Sequence, residues 1–335
     1  MKIVIDSAIP YIQDRWPDGK VNLVSLPARE ITSDVVKEAD ALFVRTRTKC
    51  DANLLEGSNV KFIGTATIGT DHIDLPWCEK NSIKVQNAPG CNASGVAQYV
   101  FSSLFNSGFD PMKHTLGIIG YGNVGSIVEE WAEKLGVKTL ICDPPRKEAG
   151  YRDKYYIEMW ELLQNSHAVT LHVPFTKTGN YPTFHLLGKK HFEMMKADAI
   201  LVNSSRGGVV DETAWKTAIK NKRIKAIVDV WENEPIIDRE LLNMSTVATP
   251  HIAGYSEEGK RRATKMVLEG FSKEFNMPVD LSGLLCNVPP GKEISRELIE
   301  NSYDSTIDSQ RLKNNPEAFE DFRNNYQFRH EPLFT

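Results

Sequence analysis

No apolar run in this 335-residue chain approaches the ~20 residues that a membrane-spanning helix needs. The opening segment, Met1 to Asp6, is a short apolar strand cut off by an acid, too short for the core of a secretion signal. Cysteine is scarce as well. Cys50, Cys78, Cys91, Cys142 and Cys286 make an odd number with no paired metal spacing. They read as reduced thiols of a cytoplasmic protein, with no disulfide framework and no metal centre. A charge excess of one sign is also missing. With a net charge of −4, neither nucleic acid nor a membrane surface is expected as a partner. Internal repeats and low-complexity tracts are absent.

What remains is an ordinary globular composition, 41% hydrophobic and 25% charged, long enough for two domains and a small third. Short apolar runs at Ile3 to Ile5, Ala41 to Val44, Lys61 to Gly64 and Ile83 to Val85 read as strands. Ser33 to Ala39 reads as a capped helix between them. The alternation is that of an α/β parallel sheet. Asn87 to Asn92 is a turn-rich break, and Ala93 to Phe105 has the period of a helix with an apolar face. Beyond it, strands are expected at Leu116 to Ile119, Val137 to Cys142, Ala168 to Val173, Ala199 to Val202 and Ala226 to Val230. The helical segment Glu257 to Phe275 is expected to return to the first sheet. Pro289-Pro290-Gly291 punctuates the chain before a charged, helical tail. That tail is too short and polar for a core of its own, so it either packs on a partner subunit or is partly disordered.

The most informative segment is Gly120-x-Gly122-x-x-Gly125, which joins the Leu116 strand to a helix over Asn123 to Leu135. The first glycine permits a tight turn and the second a close approach to a pyrophosphate. The third lets the helix pack near the sheet, with its N-terminus facing the negative charge. Asp143 ends the next strand, where a carboxylate accepts hydrogen bonds from ribose hydroxyls. That favours NAD, and Asp143 would repel the 2′-phosphate that nearby Arg146 could otherwise accept.

Three further segments carry chemistry. Arg206 follows a strand, at the sheet edge where α/β folds bind ligands, and a guanidinium there can grip a carboxylate bidentately. Asp229 ends another strand, near where a nicotinamide amide would lie, with Glu234 just beyond. His251 follows Pro250 in a stiff turn, and histidine exchanges protons near neutrality. Arg45, Arg47 and Lys49 follow the Ala41 strand and offer cations for a second anionic group, Arg47 and Lys49 less securely because alternation turns side chains away.

The glycine segment, Leu171-His-Val-Pro174, Arg206-Gly-Gly-Val-Val-Asp-Glu212, Asp229 to Pro235 and Pro250-His-Ile-Ala-Gly254 together resemble the D-isomer-specific 2-hydroxyacid dehydrogenases over roughly residues 1 to 280. The resemblance implies two doubly wound parallel-sheet domains, a flavodoxin-like substrate domain (1–92 and 254–285) and a Rossmann NAD domain (93–253). A shortened α-rich dimerisation segment (286–335) would follow. It implies Arg206, Glu234 and His251 as the catalytic set, and NAD held by Gly120, Gly122, Asn123, Val124, Gly125, Asp143, Val173, Asp229 and Gly254. Lys61 to His72, Ala88 to Asn92, Tyr99 to Ser103, Cys142 to Arg146 and His251 to Tyr255 look like one branch of the family, whose substrate carries a carboxylate and a phosphate. That branch implies Thr46, Thr67 and Tyr255 on the substrate and a homodimer, and the basic loop after the Ala41 strand offers Arg45 for the phosphate. Only the first part of the family's C-terminal extension is recognisable, around Tyr303 and Phe319 to Tyr326. Two alternatives stay open: another D-2-hydroxy acid (3-phosphoglycerate, glycerate or lactate) on the same scaffold, or an NADH-sensing binding protein.

Overall fold

The computed structural model describes residues 1–151, 154–286, 288 and 291–335, so Pro289 and Pro290 of the expected punctuation lie outside the described residues. The chain forms two compact units. One is Met1–Asn92 with Glu257–Val288, and the other is Ala93–Ser256 with the described residues of 289–335.

In the first unit, β1 (Lys2–Asp6), β2 (Asn22–Leu26), β3 (Ala41–Val44), β4 (Phe62–Thr65) and β5 (Lys84–Gln86) form one sheet. Their order is β2-β1-β3-β4-β5 and every pair is parallel, the flavodoxin-like arrangement. Parallel sheets are covered on both faces, so both sides of each central strand must be apolar. Ile3, Ile5, Phe43 and Phe62 pack on one face with Phe271 of the helix Glu257–Phe275. Val4, Leu42, Val44 and Ile63 pack on the other with Leu55 and Cys78. Full burial of each such side chain contributes about 1.5–3 kcal/mol. The strand β2 gave no apolar signal because it is an edge, with Asn22 and Ser25 exposed. The helix expected from Ser33 is a single turn, Ser33–Val36, whose N-cap Thr32 makes no side-chain cap bond.

The second unit contains β6 (Thr115–Ile119), β7 (Lys138–Cys142), β8 (Ala168–Leu171), β9 (Ile200–Asn203), β10 (Lys225–Val228) and β11 (Val247–Ala248). Their order is β11-β10-β9-β8-β6-β7, all parallel. Tyr156 adds a single-residue parallel bridge to Ile141 of β7, and Ile157 N–H donates to Ile141 O at 2.9 Å. Counting that bridge as a vestigial third strand gives the 3-2-1-4-5-6 order of dinucleotide-binding sheets, with β11 outside it. The order reverses between β6 and β8, so the ligand crevice belongs at the carboxyl ends Ile119 and Leu171.

The tail departs from its expectation. Helices Arg296–Ser302, Ser305–Asn314 and Phe319–Asn324 pack on their own chain. Ile294, Ile299 and Tyr303 join the cluster under the helix Ala93–Asn106, while Leu312 and Phe319 join the cluster on the other face. A segment too polar for its own core needs none when it can complete an existing one. It also covers a sheet edge, since Ala248 N–H of β11 donates to Ser309 Oγ at 2.9 Å. All five cysteines are free thiols, and burial pushes Cys50 and Cys142 up to about 12. Among the described residues no helix is long and apolar enough to cross a membrane.

Candidate active site

The glycine loop follows β6 directly. Gly120 has φ +91°, and a Cβ there would lie 2.5 Å from His172 O and 2.9 Å from Val173 Cγ1. A Cβ on Gly125 would lie 2.1 Å from Gly120 O, so the helix Asn123–Lys134 can start close to the strand only with glycine at that place. Gly122 faces open space, with nothing within 4 Å. As N-cap it offers no side-chain hydrogen bond, which leaves the first-turn amides of Asn123 and Val124 without a side-chain cap. This bare backbone fits the pyrophosphate of NAD. Beneath it His172 is held neutral by burial, its pKa pushed down to about 3, with Nε2 3.0 Å from Thr170 Oγ1.

At the end of β7, Asp143 accepts Tyr121 N–H at 2.7 Å and caps the helix Pro144–Glu148 through Arg146 N–H at 2.9 Å. One carboxylate thereby ties the glycine loop to the neighbouring strand. The Arg146 side chain donates to Tyr156 OH at 3.0 Å and lies 4.1 Å over the Tyr151 ring. These partners hold the guanidinium against aromatic rings.

The catalytic candidates sit at the ends of β9, β10 and β11. Asn203 closes the β9 turn, accepting Ser205 Oγ–H at 2.9 Å and donating to Arg206 O at 3.0 Å. A Cβ on Gly207 would lie 1.8 Å from Trp231 O, so the Arg206 loop seats directly against the chain leaving β10. The half-buried Arg206 donates to Ser205 O at 2.8 Å. Glu234 and His251 are in contact: His251 Nδ1 lies 2.8 Å from Glu234 Oε2 and 3.1 Å from Oε1. Glu234 Oε1 also accepts Trp231 N–H at 3.0 Å. Burial works against the ionised Glu234, yet His251, the Trp231 amide and Arg323 outweigh it and hold the carboxyl below its usual range.

His251 stands in the left-handed region at φ +58°, a conformation that costs a non-glycine residue about 1–2 kcal/mol. Buried Asp229 holds it there. Its carbonyl accepts His251 N–H at 2.8 Å, and its carboxylate accepts Ile252 N–H at 2.8 Å, Ala253 N–H at 3.0 Å and Thr249 Oγ–H at 2.7 Å. Tyr99, fully buried, donates in turn to Thr249 Oγ1 at 2.8 Å. Asp229, expected beside the nicotinamide amide, is thus first the frame of the histidine loop. Gly254 and Tyr255 complete that loop, and the Tyr255 ring meets Tyr326 and Phe328 at 6.0 and 6.2 Å.

Sequence reasoning missed the residues behind this loop. Arg323 NH1 lies 3.9 Å from Glu234 Oε2. Arg329, buried, donates to Ile252 O at 3.1 Å, Tyr255 O at 3.3 Å, Gly95 O at 3.0 Å and Ala253 O, while its Nε donates to Gln98 Oε1 at 2.8 Å. Its guanidinium lies 4.2 Å over the Tyr303 ring. The available signal was an arginine set among Tyr326 and Phe328 near the end of the tail.

The remaining substrate candidates belong to the first unit. Arg45 donates to Ala8 O at 3.1 Å, and Thr46 and Arg47 are exposed beyond β3. Lys49, with Arg47 the less secure of the cations offered, pairs with Asp51 at 2.7 Å. Thr67 Oγ–H donates to Gly69 O at 3.0 Å, so it accepts from Thr65 at 2.8 Å, which in turn accepts from His72 Nε2–H at 3.1 Å. Burial lowers the His72 pKa, in keeping with a neutral ring at the head of that chain.

Residues 95–253 match the model of the D-isomer specific 2-hydroxyacid dehydrogenase NAD-binding domain. The chain is 41% identical over 340 residues to an erythronate-4-phosphate dehydrogenase of Bacteroides fragilis, covering 99% of this chain and 97% of that one. The enzyme of that name from Escherichia coli O157:H7 is 39% identical over 351 residues, covering 99% and 92%. Among solved structures, the NAD+-bound 3-phosphoglycerate dehydrogenase of Entamoeba histolytica superposes with a TM-score of 0.68 at 25% identity, covering 82% of this chain and 95% of that one. The D-lactate dehydrogenase of Aquifex aeolicus, complexed with NAD and lactic acid, shares the fold with a TM-score of 0.66 at 24% identity, covering 82% and 96%. A bare glycine loop, an acid on the second strand and a paired Glu–His are what a nicotinamide-dependent hydroxy-acid oxidoreductase requires, and the chain belongs to the D-isomer-specific 2-hydroxyacid dehydrogenase family.

Proposed function

We propose that the chain oxidises 4-phospho-D-erythronate to 2-oxo-3-hydroxy-4-phosphobutanoate with NAD, a step of pyridoxal 5′-phosphate (vitamin B6) biosynthesis. The observation that carries the chemistry is the Glu234–His251 pair at 2.8 Å. Near-full-length similarity to the erythronate-4-phosphate dehydrogenases supports the substrate. NAD, when bound, supplies the acceptor for the hydride from C2. Glu234 accepts a hydrogen bond from Nδ1–H of His251, which leaves the lone pair of the neutral ring on Nε2. Nε2 takes the proton of the 2-hydroxyl as C2 is oxidised. Arg206 grips the carboxylate and steadies the oxygen that becomes the ketone. Gly120, Gly122, Gly125, Asn123, Val124, Asp143, Val173, Asp229 and Gly254 hold the cofactor. Arg45, Thr46, Thr67 and Tyr255 receive the rest of the substrate, Arg45 serving the phosphate. The same reading makes the protein a cytoplasmic homodimer. Its free thiols suit a reducing compartment, and the dimer is carried over from the family.

The test is NADH absorbance with NAD, 4-phospho-D-erythronate and a 2-oxo acid acceptor or ketone trap to draw the uphill oxidation forward. Activity that D-glycerate, D-lactate and 3-phosphoglycerate cannot match supports the assignment. Turnover only with one of those acids keeps the mechanism and overturns the substrate. NADH binding without turnover of any 2-hydroxy acid points instead to a sensor.

Glu234→Gln separates orientation from charge. The amide can still hydrogen-bond the ring but no longer favours the imidazolium, so oxidation retains its neutral base at lower pH. The acid limb of kcat/KM for oxidation is expected to move to lower pH, with a reduced maximum. An unmoved limb would remove Glu234 from the proton path.

A further inference from the structure

A small cavity lies at the opposite edge of the same sheet, where β6, β8, β9 and β10 begin. It measures about 230 Å³; Ala197, Ala199 and Ile200 give it a largely apolar floor, and His114, His167, Lys196, Asp198 and Lys225 stand around it. The strands are 4–5 residues long, so this edge is about 13–17 Å from the catalytic one.

The hydrogen bonds of this wall leave a conflict. Thr115 N–H donates to His167 Nδ1 at 3.0 Å, and His167 N–H returns a bond to Thr115 O at 2.9 Å. An Nδ1 that accepts carries no hydrogen, so the neutral ring bears its proton on Nε2. Lys196 Nζ stands 3.3 Å from that Nε2, and an ammonium has only hydrogens to offer. Two donors therefore face one another without an acceptor between them. Protonating the ring does not relieve this, because a second N–H would then meet the Thr115 amide. Burial, Lys196 and His114 all act against the charged ring.

The neighbouring groups are also donors. Asp110 N–H donates to His114 Nδ1 at 3.0 Å, which makes His114 Nε2 a donor as well, and the two imidazoles stack with centroids 4.9 Å apart. Lys225 uses one hydrogen on Ser107 O at 2.6 Å and Lys196 one on Asn165 O at 3.1 Å, so each ammonium keeps hydrogens to give. The acid in the wall, Asp198, is paired with Arg223 at 3.0 Å.

We propose that this cavity is a binding site for a small oxyanion of the phosphate class, distinct from the hydroxy-acid site. An anion there accepts from Lys196 and His167 together and turns the conflict into two charge-assisted bonds. By joining the start of β8 to the start of β9 and β10, it stabilises the folded NAD domain by an amount that rises with the logarithm of its concentration above Kd.

The test follows the histidine side chains of the full chain by NMR while inorganic phosphate, and in a parallel series glycerol 3-phosphate, is added. His114 and His167 are expected to shift with either probe, and the tighter of the two tells a free ion from an ester. Lys196→Met weakens that response about tenfold, the worth of one charge-assisted hydrogen bond. Lys225→Met serves as the second variant, with dehydrogenase activity as the check that both are folded. Shifts confined to His72 and His251, or equal affinity in wild type and both variants, overturn the site.

Discussion

Replacing His251 with asparagine is expected to lower kcat by about 10²–10⁴-fold, the usual worth of a positioned acid–base group. The choice of asparagine is physical. Asparagine tolerates the left-handed backbone better than most residues, so φ +58° is kept, and its amide can still meet Glu234. What disappears is the nitrogen lone pair that, in the proposed mechanism, removes the hydroxyl proton. NADH affinity should change little, because the glycine loop and Asp143 are built by contacts that do not involve His251. Steady-state kinetics with a fluorescence titration of NADH measure both quantities. A variant that keeps its turnover would strip His251 of its role and bring forward the reading as an NADH sensor. A variant that also loses NADH would mean that the loop, rather than the imidazole, had been destroyed.

The parts legible in the sequence are those whose physics is local. A parallel strand covered on both faces is a short apolar run, so β1, β3, β4 and β6 to β10 stood out. The glycine loop was legible because the backbone geometry admits no side chain at Gly120 or Gly125. The elements that escaped are those stabilised from a distance. The edge strand β2 is half polar, and β11 has only two residues, completed by a tail helix some sixty positions later. The same holds in the site. Glu234 and His251 were nameable from short motifs, but the frame that makes His251 sit where it does is not local. Tyr99, Thr249 and Asp229 form one buried chain of hydrogen bonds drawn from a helix and the ends of β10 and β11. Lys49, the less secure cation of its loop, pairs two residues away with Asp51, a contact that sequence alternation does not reveal.

Arg329→Met carries the largest expected cost in stability. The guanidinium is buried and serves carbonyls on both sides, Gly95 and Gln98 on the helix Ala93–Asn106 and Ile252, Ala253 and Tyr255 on the histidine loop. Methionine fills part of the volume but leaves those acceptors buried without a donor. Breaking one side of such a buried polar arrangement costs about 3–5 kcal/mol. The same contacts connect stability to catalysis. Asp229 holds the loop through its amide groups and Arg329 through its carbonyls, so the loop is gripped on both kinds of backbone group. With one grip lost, the left-handed turn at His251 should relax, and kcat should fall while NADH binding at the glycine loop persists. Arg329→Lys is expected to recover part of the stability and less of the rate, because an ammonium has three donors and cannot reproduce the planar fork. Chemical denaturation gives the first quantity and kcat against NADH affinity gives the second. A folded Arg329→Met protein with unchanged kcat would show that Asp229 alone suffices to place the histidine. A variant with both quantities lowered would mean that the tail, expected from sequence to pack on a partner subunit or be partly disordered, is a working part of the histidine loop.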